Sequence, residues 1–191
     1  MSMPLFLTYV LAAYLSGAVP WSVWLSRVVA RTDPRTLADG NPGAANAFRT
    51  AGRGVGVAVL VLDFLKAFVP VLVARWGLQL LDGQLFWIAL APMLGHAFSI
   101  FLRLRGGRGL TAMFGVWAGV TLYEVPLLMG LTAFVGVRLI KNREVSSLLI
   151  PLVAAGYLML TGKPGWMIVL ALVQWLLMLS KILVYYRAKA A

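Results

Sequence analysis

The sequence predicts an all-α, polytopic integral membrane protein of about seven transmembrane helices, and three observations predict it. Of the 191 residues, 61% are hydrophobic and only 12% are charged, which excludes an ordinary soluble domain. The apolar residues come in repeated runs of membrane-spanning length and not in one core-sized cluster. Seventeen Lys and Arg stand against six Asp and Glu, a formal charge of +11, and nearly all the basic residues fall between or beside the apolar runs.

The runs are 4–26, 54–75, 84–102, 110–122, 125–140, 146–161 and 165–186. The fourth and fifth, parted by Tyr123-Glu124 ahead of Pro126, are each shorter than the roughly 20 residues of a straight span and could instead form one broken helix. The positive-inside rule decides between seven spans and six. With seven, the N-terminus outside and the C-terminus cytoplasmic, fourteen basic residues from Arg27 to Lys189 share the inner side. Only Arg75 and Lys163 then lie outside, with Lys66 inside a span. Six spans would scatter the basic loops over both faces. Met1-Ser2-Met3-Pro4 offers no basic region ahead of the first run, so that run is expected to stay as a helix and not to act as a signal peptide. Residues 1–191 read as a single transmembrane domain, with no soluble linker domain, low-complexity tract or internal repeat.

The absence of cysteine excludes a disulfide framework, a thiolate-zinc site, an iron–sulfur cluster and a protein-bound thioester. One histidine and six carboxylates, mostly far apart, leave too few ligands for a metal centre, so neither metal nor cofactor is expected. Topology accounts for the basic excess without a nucleic-acid partner. Basic loops at a bilayer are expected to meet lipid headgroups or small anions, and no obligate protein partner is evident.

Three inner loops each lead into a helix. In Asp39-Gly40-Asn41-Pro42-Gly43-Ala44-Ala45-Asn46, Asn41 suits an N-cap and Pro42 the first helical position, and Asn46 and Arg49 then share a face. Arg103-Leu104-Arg105-Gly106-Gly107-Arg108-Gly109 is a glycine strip whose N–H groups could wrap a phosphate, with Arg108 supplying a charged fork. It lacks the spacing of a nucleotide-binding P-loop. Lys141-Asn142-Arg143-Glu144-Val145-Ser146-Ser147 offers Ser146 or Ser147 as a cap. Each loop read alone could be an ordinary capped or basic turn. Three helix starts on one face favour negative charge together, and suggest a cytoplasmic pocket for one or two phosphates. Asp63 and Lys66, three apart within the second span, are expected to form a structural ion pair. His96 lies roughly 10 Å of helical rise before Arg103, and either reaches the pocket floor or is satisfied by a neighbouring helix.

The sequence contains no G-x-S-x-G elbow, no evident Ser-His-Asp set and, with Phe101 five residues after His96, no His-x4-Asp motif. A pocket rich in arginine, glycine N–H groups and hydroxyls but poor in bases suits an electrophile that arrives already activated. A lipid acyl phosphate is such an electrophile.

The stretch Gly40 to Asn46 with Arg49, the Leu62-Asp63-Phe64-Leu65-Lys66 span, Gly95-His96 followed by Gly106-Gly107-Arg108-Gly109, and the Arg143-to-Ser146 turn resemble, in order, the bacterial acyl-phosphate:glycerol-3-phosphate acyltransferases. The likeness covers roughly residues 9–160. It implies a seven-helix enzyme of the bacterial cytoplasmic (inner) membrane that works in phospholipid biosynthesis. Such an enzyme moves a fatty acyl group from acyl phosphate to the 1-hydroxyl of glycerol 3-phosphate, releasing lysophosphatidate and phosphate without acyl-CoA or acyl carrier protein.

By position, the resemblance implies substrate and phosphate binding by Asp39, Asn41, Gly43, Asn46, Arg49, Gly106, Gly107 and Gly109, with Ser146, Arg108 and His96 as catalytic candidates. The chain departs from the family pattern at several places. Asp39 stands for the usual Ser, and its charge weakens phosphate binding unless it pairs with an Arg or takes a hydroxyl proton. Arg108 stands for Lys and Ala112 for Thr, and the family's C-terminal His- and Asn-containing motif has no counterpart over residues 183–189. Two other readings stay open on sequence alone: a transporter or channel for a small anion, and a non-catalytic lipid-phosphate-binding relative.

Overall fold

The computed structural model describes residues 1–36 and 39–190, without the side chains of Tyr185 and residues 187–190. Arg187 and Lys189, assigned above to the inner side, are therefore outside the described side chains. Every regular element among the described residues is helical: α1 (Met3–Ala18), α2 (Trp21–Ala30), α3 (Ala44–Leu72), α4 (Asp82–Ala97), α5 (Leu110–Thr121), α6 (Glu124–Leu139), α7 (Arg143–Leu160) and α8 (Gly165–Ala190). Five stretches are long and apolar enough to cross a membrane: Met3–Ala30, Ala44–Gly77, Asp82–Leu102, Arg143–Leu160 and Gly165–Val184. α5 and α6 are separate helices joined through Leu122, whose φ is +57°, and they pack against each other.

The first apolar run, expected as one helix over 4–26, is broken between α1 and α2 at Val19-Pro20. Proline cannot supply the amide N–H that a continuous helix needs there. The break frees two carbonyls that polar side chains from other helices use: Ala18 accepts from Ser99 Oγ at 2.5 Å, and Val19 accepts from Lys66 Nζ at 2.8 Å. Lys66 also lies 2.6 Å from Asp63, with both side chains almost wholly buried. α3 bends at Gly52, whose φ of +85° only glycine adopts easily. The short helix 44–51 is thereby turned away from the long apolar one that follows.

Close helix approach rests on glycine. A Cβ on Gly95 of α4 would lie 2.1 Å from the Tyr14 carbonyl oxygen of α1, and one on Gly115 of α5 would lie 2.3 Å from the Phe64 carbonyl oxygen of α3. The main core gathers Met113, Val116 and Trp117 of α5 with Ile150, Leu158, Leu170 and Met178 of α7 and α8. The outward faces are apolar too: Leu127, Leu131 and Phe134 of α6 and Leu5 and Leu11 of α1 are exposed, as a lipid-facing surface requires.

One polar pair lies inside that core. Trp117 Nε1 donates to Gln174 Oε1 at 2.8 Å and ties α5 to α8. Trp117→Phe removes the donor and leaves a fully buried amide oxygen without it, at a cost of about 1–3 kcal/mol. Thermal unfolding of the purified protein in detergent should show the loss, and Gln174→Leu added to it should recover part of the stability.

Candidate active site

The starts of α3, α5 and α7 meet at one cavity of about 270 Å³. Its wall takes Ala44 and Arg49 from α3, Arg108 and Thr111 from the entry to α5, and Arg143 and Ser147 from α7. His96 and Asp63 form part of the same lining. Backbone N–H groups of a first helical turn have no partner within their own helix, so two such turns beside three arginines favour an anion.

The helices start differently from the sequence expectation. Asn41 does not cap α3, and Pro42 is not its first residue: the helix begins at Ala44 with extended Gly43 before it, and Gly43 N–H is held by the Asn41 carbonyl at 2.8 Å. Asn41 Oδ1 is taken instead by the Arg108 N–H at 3.1 Å. Neither Ser146 nor Ser147 caps α7. Asn142 does, accepting from the Glu144 and Val145 N–H groups at 2.9 and 3.2 Å. Ser146 thus falls within the first turn and faces α6, where a Cβ on Gly136 would lie 2.3 Å from its Oγ. It is absent from the cavity lining, and Ser147, about 100° further round the helix, takes that place.

Gly106 and Gly107 do not turn their N–H groups to an anion. Gly106 N–H donates to the Ala97 carbonyl at 3.2 Å and Gly107 N–H to the His96 carbonyl at 3.1 Å, which pins the strip to the end of α4. A side chain on Gly106 would lie 2.0 Å from the His96 carbonyl oxygen, and one on Gly107 2.6 Å from His96 Nε2. These glycines let the loop and the histidine ring share one space. Gly109, in the left-handed region at φ +82°, lies in the cavity wall at the start of α5.

Arg108 is the junction of the site. Its guanidinium pairs with Asp39, and Glu144 Oε1 lies 3.4 Å away. Asp39 Oδ1 also accepts from Asn46 Nδ2 at 2.7 Å and from the Asn41 N–H at 3.1 Å. Buried Asn46 in turn accepts from Arg49 at 3.1 Å. Asn41 and Asn46 therefore orient the arginines and Asp39, and the Asp39 carboxylate has its arginine partner. Asp33 accepts from Arg35 and Arg27, and the two guanidiniums hold its carboxyl well below the usual range, tying residues 33–35 to α2. That support is present above about pH 4 and is lost as the carboxyl protonates on acidification.

The sequence brings out Asp39, Arg49, Arg108 and His96 as site residues, and the structure sets all four around this cavity. Sequence reasoning missed Glu144 and Ser147. The signal for both was the Asn142 cap, which fixes where the α7 turn begins.

The family profile described as Glycerol-3-phosphate acyltransferase matches residues 7–190. The glycerol-3-phosphate acyltransferase of Geotalea daltonii is 41% identical over 140 residues, covering 72% of this chain and 68% of that protein. That of Anaeromyxobacter dehalogenans is 44% identical over 112 residues, covering 57% of this chain and 56% of its own length. The aligned stretch thus spans little more than half of some curated relatives. The crystal structure of PlsY (YgiH), an integral membrane glycerol 3-phosphate acyltransferase, in its glycerol 3-phosphate form superposes with a TM-score of 0.82 at 30% identity, covering 92% of this chain and 87% of that one. The chain belongs to the glycerol-3-phosphate acyltransferase family.

Proposed function

We propose that this chain transfers a fatty acyl group from acyl phosphate to the 1-hydroxyl of glycerol 3-phosphate, yielding lysophosphatidate and phosphate for phospholipid biosynthesis. The observation that carries this reading is the cavity in which Arg49, Arg108 and Arg143 meet the starts of α3 and α5. The acceptor oxygen attacks the acyl carbonyl carbon, the carbonyl carbon–oxygen bond to phosphate breaks, and the hydroxyl proton ends on the departing phosphate. The electrophile is activated before it binds, so the protein's task is to hold two phosphates and stabilise developing charge. Arg108 and Arg49 hold phosphate, Ser147 in place of Ser146 presents a hydroxyl, and His96 lines the floor.

We place the enzyme in the bacterial cytoplasmic membrane as a single domain of seven spans, N-terminus outside and C-terminus inside. The separate α5 and α6 support seven crossings, and the gathering of the three helix starts supports one cytoplasmic face. At about 18 Å, α5 is shorter than the roughly 30 Å hydrocarbon core, which lets the cavity reach inward at its start.

The test is phosphate release from palmitoyl phosphate by the detergent-purified chain, with and without glycerol 3-phosphate, with the lipid product identified by mass spectrometry. Acceptor-dependent release with lysophosphatidate is expected. A folded sample that forms none overturns the reading.

A further inference from the structure

The far end of α3 carries a groove that the proposed reaction does not use. It stands roughly 30 Å of helical rise beyond Gly52, and so well away from the cavity at the helix starts. The Ala44–Gly77 span closes on a π turn, Val73–Gly77, in which the Leu78 N–H reaches back five residues to the Val73 carbonyl at 2.8 Å. The Leu80 N–H reaches the Ala74 carbonyl at 3.1 Å, and Gln79 between them takes left-handed backbone at φ +50°. A π turn fits one more residue into the ladder than an α turn, which widens the helix locally, and such turns gather at functional sites. Between this widened turn and the α5–α6 corner lies an open groove of about 520 Å³, lined by Leu72, Val73, Trp76, Gly77 and Leu122.

A polar recess of about 240 Å³ adjoins the groove and shares Trp76 with it, its other walls being Arg75, Gln79 and Leu80. The half-exposed Trp76 is fixed in place: its Nε1 donates to the Gly119 carbonyl of α5 at 3.0 Å, and the Arg75 guanidinium lies 5.8 Å from its ring centroid. Asp82 Oδ1 is 3.6 Å from Arg75 Nη1, longer than a hydrogen bond, and both side chains are partly exposed. Of the two basic residues assigned to the outer side, Lys163 is closely paired, at 2.7 Å from Glu124, and Arg75 is not. Gly77 is exposed, and a Cβ on it would meet only the Val73 side chain at an ordinary 3.7 Å. Neither packing nor a left-handed backbone calls for glycine at that position, and its missing side chain is what leaves the groove open.

Taking its leaflet from the topology proposed above, on which that part rests, we propose that this notch binds one anionic phospholipid of the outer leaflet, with the phosphate on Arg75 and an acyl chain in the groove. The two ends of the notch match the two ends of such a lipid. The groove is apolar and lies within the last turns of a membrane span, and the recess at its edge offers a guanidinium and an interfacial tryptophan. Arg75 reaches the headgroup level by its long apolar stem, which lets one residue serve both media. Because Trp76 is bonded to Gly119, the lipid also bridges the end of α3 to the end of α5.

The test is native mass spectrometry of the delipidated, detergent-purified chain titrated with phosphatidylglycerol or with phosphatidylcholine of the same acyl chains. The first lipid bound should be phosphatidylglycerol by a preference of roughly five-fold or more. Arg75→Gln should abolish that preference, and Arg75→Lys should keep most of it. Gly77→Phe, which fills the groove without touching a charge, should weaken the first binding event for both lipids. Phosphatidylglycerol should also raise the thermal unfolding temperature of the parent more than phosphatidylcholine does, and lose that advantage in Arg75→Gln. The site is overturned if the parent shows no preference, if the preference survives Arg75→Gln, if Gly77→Phe binds lipid as the parent does, or if a second copy of the chain displaces the lipid. The leaflet is read separately with Gln79→Cys, the single thiol in a chain without cysteine, and a membrane-impermeant maleimide on intact cells. Labelling is expected; labelling only after permeabilisation overturns the outer leaflet and the topology together, while the binding arms still report the site. Acyl transfer by Arg75→Gln in detergent without added phospholipid should match the parent, so a failure of the reaction and a failure of the lipid site give different results.

Discussion

Arg108→Ala should lower kcat/KM for acyl transfer by roughly 10²–10³-fold in a protein that remains folded. The main-chain tie of this residue survives the change, because its N–H still reaches Asn41 Oδ1 at 3.1 Å and the loop keeps its place. What is lost is a guanidinium of the cavity wall, together with its pairing to Asp39 and its approach to Glu144. Two carboxylates then face phosphate-binding space without the cation that neutralises them, so the loss exceeds that of one contact. Arg108→Lys keeps the charge but not the planar fork that can serve Asp39 and a phosphate at once, and should fall between, at roughly ten-fold. Initial rates of phosphate release at varied donor and acceptor, on samples matched for thermal unfolding, give both numbers. Turnover of Arg108→Ala within a factor of two of the parent would remove Arg108 from the site.

What the sequence made legible follows the physics that writes it there. A bilayer demands long apolar runs, so the run over 165–186 is visible as α8 and the pair 110–122 and 125–140 as α5 and α6. The convergence of the basic loops was also legible, because positive charge marks one face and helix starts carry their own residue preferences. Where two residues competed for one role, the sequence left the choice open. Asn142 outcompeted the serines as the α7 cap, and that shift of four or five residues turned Ser146 toward Gly136 and Ser147 toward the cavity. The fate of the glycine strip was hidden for a different reason: the acceptors for Gly106 and Gly107 are main-chain carbonyls of α4, which no side-chain pattern reports. Lys181 Nζ lies over the Phe98 ring through tertiary packing of α8 against the end of α4, some eighty residues away in sequence, and only the fold brings them together.

Lys66→Met should destabilise the fold by about 3–5 kcal/mol. The ammonium satisfies two groups: the Asp63 carboxylate at 2.6 Å, with side-chain exposures of 5% for Lys66 and 3% for Asp63, and the part-buried Val19 carbonyl at 2.8 Å, freed by the break before Pro20. Removing it leaves a buried charge and a part-buried acceptor at the joint where α1, α2 and α3 meet. Methionine fills much the same volume, so the cost is electrostatic and not a cavity. The double substitution Asp63→Leu with Lys66→Met removes both charges, leaves only the carbonyl wanting, and should therefore recover most of the loss despite changing more atoms. Tryptophan fluorescence during thermal unfolding in detergent should show the single variant lowered by on the order of 10 °C and the double variant much closer to the parent. The sign of the difference between the two variants separates the explanations. If the double variant is the less stable, the pair adds net stability beyond a hydrophobic replacement. If the single variant unfolds with the parent, Asp63 finds another partner and the ion pair is not what joins these three helices.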